Sequence, residues 1–478
     1  MARCSPGLMA LLLACLPSAQ AVVLQVRPIT VQTLADAPDL VCPSAPPKPK
    51  PKPRPTGESP PPAEAPGGWV IPDAQTVQEA LADDAAPQSP ALPAAPSPRA
   101  PHWTAAAADQ PFRVAFWGDS HLAAAFFTQE LTRRAGLAPE QVQTAFIGAT
   151  LMRPGVRLPV RKSCAWPGWR HASAHAVPAV ALAPGPALVN QVAATPDARL
   201  AWDLRNAQRQ PTQTRVRLLY EQTVTPIDIS LGVDGGAELD LRLEGPPGPA
   251  ALDIQGDAPL STLQLRLRQG ALNFHGLGLD VSPAARLQLD LFALPGATVR
   301  GWQNANPDYL RSWFDAAPPY HLVVLAYGTN EGNEKPFDAA AYRQTLVQGV
   351  TQLKSVFPQA ACLLIGPGDR GILVPRPTKA TGKKKQKRPK VDLLKYSAIH
   401  AQITRIQQTA GVALGCQTWS MMQAMGGPAS AYTWARQRPQ LMANDLIHFT
   451  VPGYQRLAQV FANDMGWNAQ TLWRRGGD

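Results

Sequence analysis

Phe112-Arg113-Val114-Ala115-Phe116-Trp117-Gly118-Asp119-Ser120-His121 is the stretch from which the fold is read. Through Trp117 it is almost wholly apolar and rich in aromatics, the pattern of a short buried strand. A glycine closes it, Asp119 and Ser120 suit a helix start, and a helical run follows through Arg134. The unit recurs toward the C-terminus. His321-Leu-Val-Val-Leu-Ala326 precedes Gly328-Thr329-Asn330 and a helix over 340–357, and Ala361-Cys-Leu-Leu-Ile365 precedes Gly366-Pro367, with a helix over 393–410 and a strand over 412–416. Strands alternating with helices predict a parallel sheet covered on both faces, and such sheets carry their sites at the carboxyl ends of the strands.

Between these units the pattern changes. Residues 200–204, 216–220, 227–231, 239–243, 263–267 and 277–281 are short alternating strands separated by Gly, Pro, Asp and Gln turns, which predicts a β-sandwich of jelly-roll type, residues 151–283, inserted into an α/β domain made of 111–150 and 284–478. Before them, 22–110 is rich in Pro, Ala and Lys and reads as a largely disordered spacer, with one short helix near 75–82. Its Lys-Pro alternation at 43–55 favours extended polyproline II.

The chain has 478 residues, 45% hydrophobic and 17% charged, enough for a sizeable core, and its 51 prolines are about twice the usual share. A net charge of +11 invites an anionic partner, but the charge is local. Lys48, Lys50, Lys52 and Arg54 carry four positives and the loop 376–390 carries eight more, leaving the remainder close to neutral. Without a recognition element on a basic folded face, nucleic acid is excluded as partner. The loop is either solvated or an electrostatic contact with anionic envelope polymers. Residues 1–21 combine Arg3, an apolar middle and Ala19-Gln20-Ala21, the make-up of a secretory signal; cleavage there competes with lipidation at Cys15. Four cysteines remain, Cys42, Cys164, Cys362 and Cys416, and the last two, in apolar runs, read as buried thiols.

Ser120 at a strand-to-helix turn sits where backbone N–H groups favour an oxyanion. Asp445-Leu-Ile-His448 offers the base it needs, since a three-residue offset on a tight turn lets the carboxylate reach Nδ1–H and leaves Nε2 to take the serine proton. Gly118-Asp119-Ser120, Pro295-Gly296-Ala297, Gly328-Thr329-Asn330-Glu331 and Asp445-x-x-His448 together resemble the four blocks of the SGNH (GDSL) hydrolases. More narrowly, Gly-Asp-Ser-His, Tyr327-Gly-Thr-Asn-Glu, Ile365-Gly-Pro and the His-Phe-Thr-x-x-Gly-Tyr tail are similar to the periplasmic peptidoglycan O-acetylesterases of Gram-negative bacteria.

The resemblance implies a flavodoxin-like three-layer fold interrupted by a carbohydrate-binding-like insert. It implies a nucleophile Ser120, a base His448 oriented by Asp445, and an oxyanion hole of the Ser120 and Gly296 N–H groups and the Asn330 amide. The family's usual Asn-Gly-Ala is Pro295-Gly296-Ala297 here, and Gly148 competes for the glycine's role. The implied function is removal of O-acetyl groups from acetylated peptidoglycan or another envelope glycan in the periplasm, without metal or cofactor. A polysaccharide O-acetyltransferase using the same residues and a catalytically idle glycan-binding protein are the alternatives.

Other features read as structural. Gly366-Pro-Gly368-Asp-Arg-Gly371 matches the dinucleotide fingerprint letter for letter, but no helix opens after it and Pro367 restricts the turn, so no dinucleotide is expected. Trp117 and Tyr327 read as core, and His121 as a helix-start group. His171, His175 and His275 read as surface or satisfied core. Trp166, Trp169, Trp202, Tyr220, Phe274 and Trp302 are the large rings that a sugar might find in or near the insert.

Overall fold

The computed structural model describes residues 22–43, 68–84, 102–176, 183–376 and 391–474. The signal segment 1–21, the Lys-Pro ladder beyond 43 and the basic loop beyond Arg376 lie outside the described residues.

Six strands form one all-parallel sheet: β1 (Phe112–Gly118), β2 (Val142–Gln143), β3 (Leu287–Ala293), β4 (Leu322–Ala326), β5 (Ala361–Gly366) and β6 (Gln417–Ser420), in the order β6-β5-β4-β1-β3-β2. Both faces are covered because both faces are apolar. Phe112, Val114 and Phe116 enter one core, whereas Ala115 and Trp117, one residue out of phase, enter the other. The helices α1 (Ser120–Ala123), α2 (Phe126–Arg134), α3 (Ala339–Val356), α4 (Lys395–Ala413) and α5 (Val451–Met465) follow these strands. α2 and α5 supply Phe127, Leu131, Leu457 and Phe461 to the first core, while α3 and α4 supply Leu346, Val350, Leu353 and Ile403 to the second. The expected α/β sheet is present.

Local differences have local causes. The helix expected from Ser120 through Arg134 is broken: Ala125 takes a left-handed φ of 62°, and the Ala123 carbonyl accepts from Arg157 N–H instead of continuing the helix. α4 runs past the expected 410 to Ala413, so Val412 is helical and the strand begins at Gln417. Cys362 and Cys416, expected as thiols, form a disulfide, their Cα atoms 4.6 Å apart where β5 and the start of β6 lie side by side.

The β-rich region contains two further sheets. One carries, in order, Gln25–Val31, Gly248–Leu260, Gln213–Gln222, Leu272–Leu279, Val189–Ala193 and Trp169–Ser173, with Phe146–Gly148 also pairing to Leu272–Leu279. The other orders Leu239–Leu243, Ile227–Val233, Thr262–Gln269, Arg199–Asp203 and Lys162–Ala165. Leu218, Tyr220, Leu252 and Phe274 of the first share a core with Leu200, Trp202, Ile229 and Leu265 of the second.

Two expectations are corrected here. The segment 22–110 is not all spacer: Gln25–Val31 adds a parallel strand to the edge of Gly248–Leu260, Cys42 is bonded to Cys164, and Trp103 and Ala106 are buried. The helix near 75–82 does form, as Ala74–Asp84. Nor does the β-rich region begin at 151, since Phe146–Gly148 already belongs to it. Gly148 sits in that pairing, opposite Gly276, with Ala187 against it.

Candidate active site

β1, β3 and β4 end together, with Gly118 in register with Ala293 on one side and Ala326 on the other. Each chain then turns out of the sheet. After β1, Asp119 caps α1 by accepting from His121 N–H at 2.9 Å, which makes Ser120 the first helical residue. A first-turn N–H has no partner within its helix, so the Ser120 amide is a donor beside its own hydroxyl. Burial pushes the Asp119 carboxyl up to about 6, against the hydrogen bonds from His121 N–H and Thr329.

The Ser120 hydroxyl meets His448 Nε2 at 3.0 Å, and His448 Nδ1 meets Asp445 Oδ2 at 2.8 Å. Because an ionised carboxylate only accepts, Nδ1 carries the proton and Nε2 presents a lone pair to the serine O–H. Asp445 Oδ1 accepts from the N–H groups of Ile447 and His448, both at 2.9 Å. Burial works to raise the Asp445 carboxyl, but these hydrogen bonds outweigh it and hold the group down at about 2. The hydrogen bond to Asp445 is also the main reason that His448 is more basic than an ordinary imidazole.

The turn is pinned at its base. His448 C=O accepts from Ala443 N–H at 2.7 Å, and the next residues open α5 with Thr450 as cap. Gly453 in the His-Phe-Thr-x-x-Gly-Tyr tail lies against the Leu441 carbonyl, where a Cβ would stand 1.9 Å from the oxygen.

Gly296 follows β3 with φ of 84°, is exposed, and has open space where a Cβ would point. Its neighbour Ala297 accepts at 2.9 Å from Asn330 Nδ2, which carries a second N–H. Glu331 holds this side together from beneath: one carboxylate oxygen accepts from Val299 N–H at 2.8 Å and the other from Gly328 N–H at 3.0 Å. Burial raises this carboxyl to about 7. All five residues expected at the site, Ser120, Gly296, Asn330, Asp445 and His448, therefore stand at the carboxyl ends of the parallel strands or on the turn facing them.

The sequence reading gave Glu331 and His175 no role at the site, whereas His121 is the helix-start group expected. His175, on the turn after Trp169–Ser173 in the β-rich region, is half-buried and donates from Nδ1 to Thr298 C=O at 2.7 Å. Its ring fills the space beside Gly301, where a Cβ would meet it at 2.2 Å. Asn304 Nδ2 donates back to Ala174 C=O at 2.8 Å. His121 lies beneath the base, its ring 5.6 Å from that of His448, and burial lowers it to about 3, which keeps it uncharged. No sequence spacing assigns Glu331 or His175 its task, because each reaches a backbone group on a loop distant in sequence.

Trp117 and Tyr327 are core, as expected. Trp202, Tyr220, Phe274 and Trp302 are buried as well, so of the six rings only Trp166 and Trp169 retain partial exposure. The Gly366–Gly371 stretch opens no helix; Gly368 and Gly371 let the chain pass against Phe449, Leu446 and Tyr432 of the His448 region.

No family model matches the sequence, and no curated protein does. Solved structures do match. A peptidoglycan O-acetylesterase aligns with 75% of this chain and 91% of its own at 19% identity, with a TM-score of 0.55. A family two carbohydrate esterase from Clostridium thermocellum in complex with cellohexaose aligns with 63% of this chain and 100% of its own at 11% identity, TM-score 0.25. A GDSL-like lipase from Parabacteroides merdae covers 38% and 73% at 13% identity, TM-score 0.26. The first of these is a likeness of fold: the chain resembles a peptidoglycan O-acetylesterase in its architecture.

Proposed function

We propose that the chain is a serine esterase that removes O-acetyl groups from a cell-envelope polysaccharide, with peptidoglycan as substrate, and that it acts in the periplasm after export on residues 1–21. The observation that carries the reading is the unbroken run of hydrogen bonds from Ser120 through His448 to Asp445, its serine at the end of a strand that is in register with those leading to Gly296 and Asn330. Ser120 Oγ attacks the acetyl carbonyl while His448 Nε2 takes its proton. The carbonyl oxygen, now negative, accepts from the Ser120 and Gly296 amides and the remaining Asn330 N–H. Collapse breaks the ester C–O bond, the sugar hydroxyl leaves with the proton from His448, and the acetyl group stays on Ser120. A water then gives its proton to Nε2, attacks the acetyl-serine and releases acetate, returning the proton to Ser120.

The two β-rich sheets, read as one sandwich-like insert between the halves of the α/β domain, would position the polymer. Trp166 and Trp169 are its available rings. Acetate release from acetylated peptidoglycan and from a small chromogenic acetate, measured for wild type and Ser120→Ala, tests the reading. A loss on the order of 10⁶-fold in kcat is expected for the variant on both substrates. Turnover by Ser120→Ala within tenfold of wild type would refute it.

A further inference from the structure

The nucleotide-like stretch Gly366–Gly371 acquires a different meaning from where it lies. Asp369 is buried and accepts from Ser397 Oγ at 2.5 Å and Ala431 N–H at 2.8 Å, which fixes the turn from inside. Gly371 N–H donates to Leu446 C=O at 3.0 Å, in the middle of the Asp445–His448 turn. Arg370, between them, hydrogen-bonds through Nη1 to Asn333 Oδ1, three residues beyond Asn330. Arg370 and Gly371 together thus tie the asparagine loop to the base turn.

Its guanidinium feels the charge of the Asp445 carboxylate without being ion-paired to it. It lies 3.9 Å over the Tyr396 ring, and its Nε is buried without a partner. Among the described residues it forms no ion pair with a carboxylate. With one face on Tyr396, Nε turned inward and one Nη1 N–H on Asn333 Oδ1, the second Nη1 N–H and the Nη2 group remain for a ligand. A guanidinium edge fits a carboxylate through two parallel N–H···O bonds, and a planar cation already stacked loses little freedom on forming them.

We infer that Arg370 is a specificity residue that binds a carboxylate carried by the substrate close to its acetyl ester. The inference rests on the esterase reading above and narrows it to acidic glycans, such as a muramic acid unit with a free lactyl carboxylate. The charge of Arg370 also acts on His448, lowering its basicity against the pull of Asp445, and a bound carboxylate would cancel that effect.

Two measurements decide it. The first compares kcat and KM for 6-O-acetyl-N-acetylmuramic acid and for neutral 6-O-acetyl-N-acetylglucosamine, in wild type, Arg370→Gln and Arg370→Lys. Wild type is expected to favour the acid by about tenfold in kcat/KM, mainly through KM, as one charge-assisted pair allows. Arg370→Gln should lose that ratio and Arg370→Lys keep part of it. No preference in wild type, or an equal fall in kcat on both esters in Arg370→Gln, overturns the inference and leaves Arg370 a prop for the base turn. The second is direct binding of N-acetylmuramic acid and N-acetylglucosamine to Ser120→Ala, alone and combined with Arg370→Gln. Tighter binding of the acid that disappears with Arg370 supports the assignment, and equal ratios refute it. Should wild type hydrolyse neither ester, the esterase reading fails while the binding comparison still settles Arg370.

Discussion

The two sides of the candidate site are built differently. The donor side, Gly296 to Val299 with Gly328 to Glu331, is clamped from within: Glu331 is 4% exposed and ties two loops by their backbone N–H groups, Asn330 bridges them, and His175 reaches in from the β-rich region. The base side is a surface turn, with the side chains of His448 and Asp445 43% and 46% exposed. The contrast matches the work each side would do. Oxyanion donors help only if they are already in place when charge develops. A base that must pass a proton to a departing alcohol and then take one from water needs access to solvent.

Breaking the base side should have the largest effect. Asp445→Asn keeps an oxygen to accept from Ile447 and His448 N–H, but turns an amide N–H toward Nδ1, so the imidazole protonates at Nε2 and cannot receive the serine proton. The expected loss in kcat is on the order of 10⁴-fold with the fold retained; kinetics on a small acetate ester would check it, and a loss below tenfold would show that the carboxylate is dispensable.

The donor side should break less severely. Asn330→Ala is expected to lower kcat on the order of 10²–10³-fold with KM little changed, since its donor is used most in the charged transition state. If KM rises with kcat intact, Asn330 binds substrate instead.

The clamps beneath should matter in turn. Glu331→Gln leaves an amide nitrogen facing one of two backbone donors, and His175→Ala removes the hydrogen bond to Thr298 C=O. For each, kcat on a small ester is expected to fall by about 10–10²-fold through displaced donors. For His175→Ala this sharpens the comparison further. A fall confined to polymer would make the β-rich region a binding unit only, whereas an equal fall on polymer and small ester would show that it helps to shape the donor loop.

The smallest effect is the position of the acid limb. Hydrolysis needs neutral His448, and the hydrogen bond to Asp445 raises its pKa, so activity should disappear as pH falls through a midpoint above the ordinary ~6.5. A pH profile of kcat/KM with its midpoint at or below that value would contradict the charge arrangement of the base turn.

Much of this was legible in the chain. The phase of Phe112 to Trp117 dictates a strand apolar on both sides, and the Gly, Asp and Ser that follow dictate a capped turn with the hydroxyl at its exit. The offset between Asp445 and His448 dictates their hydrogen bond, because a carboxylate on a tight turn reaches only so far. These are local constraints, carried by neighbours in sequence.

What only the tertiary structure decided is which distant groups meet. Gln25–Val31 looks like part of a spacer until it finds the edge of Gly248–Leu260, because an edge strand takes its partner from unpaired backbone groups, which no local pattern records. Cys362 and Cys416 looked like buried thiols until the sheet set them side by side. Glu331, His175 and Arg370 are given no such role by any motif, since each is recognised only by the atoms it touches. The Gly366–Gly371 stretch shows the same limit from the other direction: its glycines match a nucleotide pattern, but the close approach that requires them is that of Phe449, Leu446 and Tyr432. A glycine spacing records that something comes near the backbone, and the fold determines what.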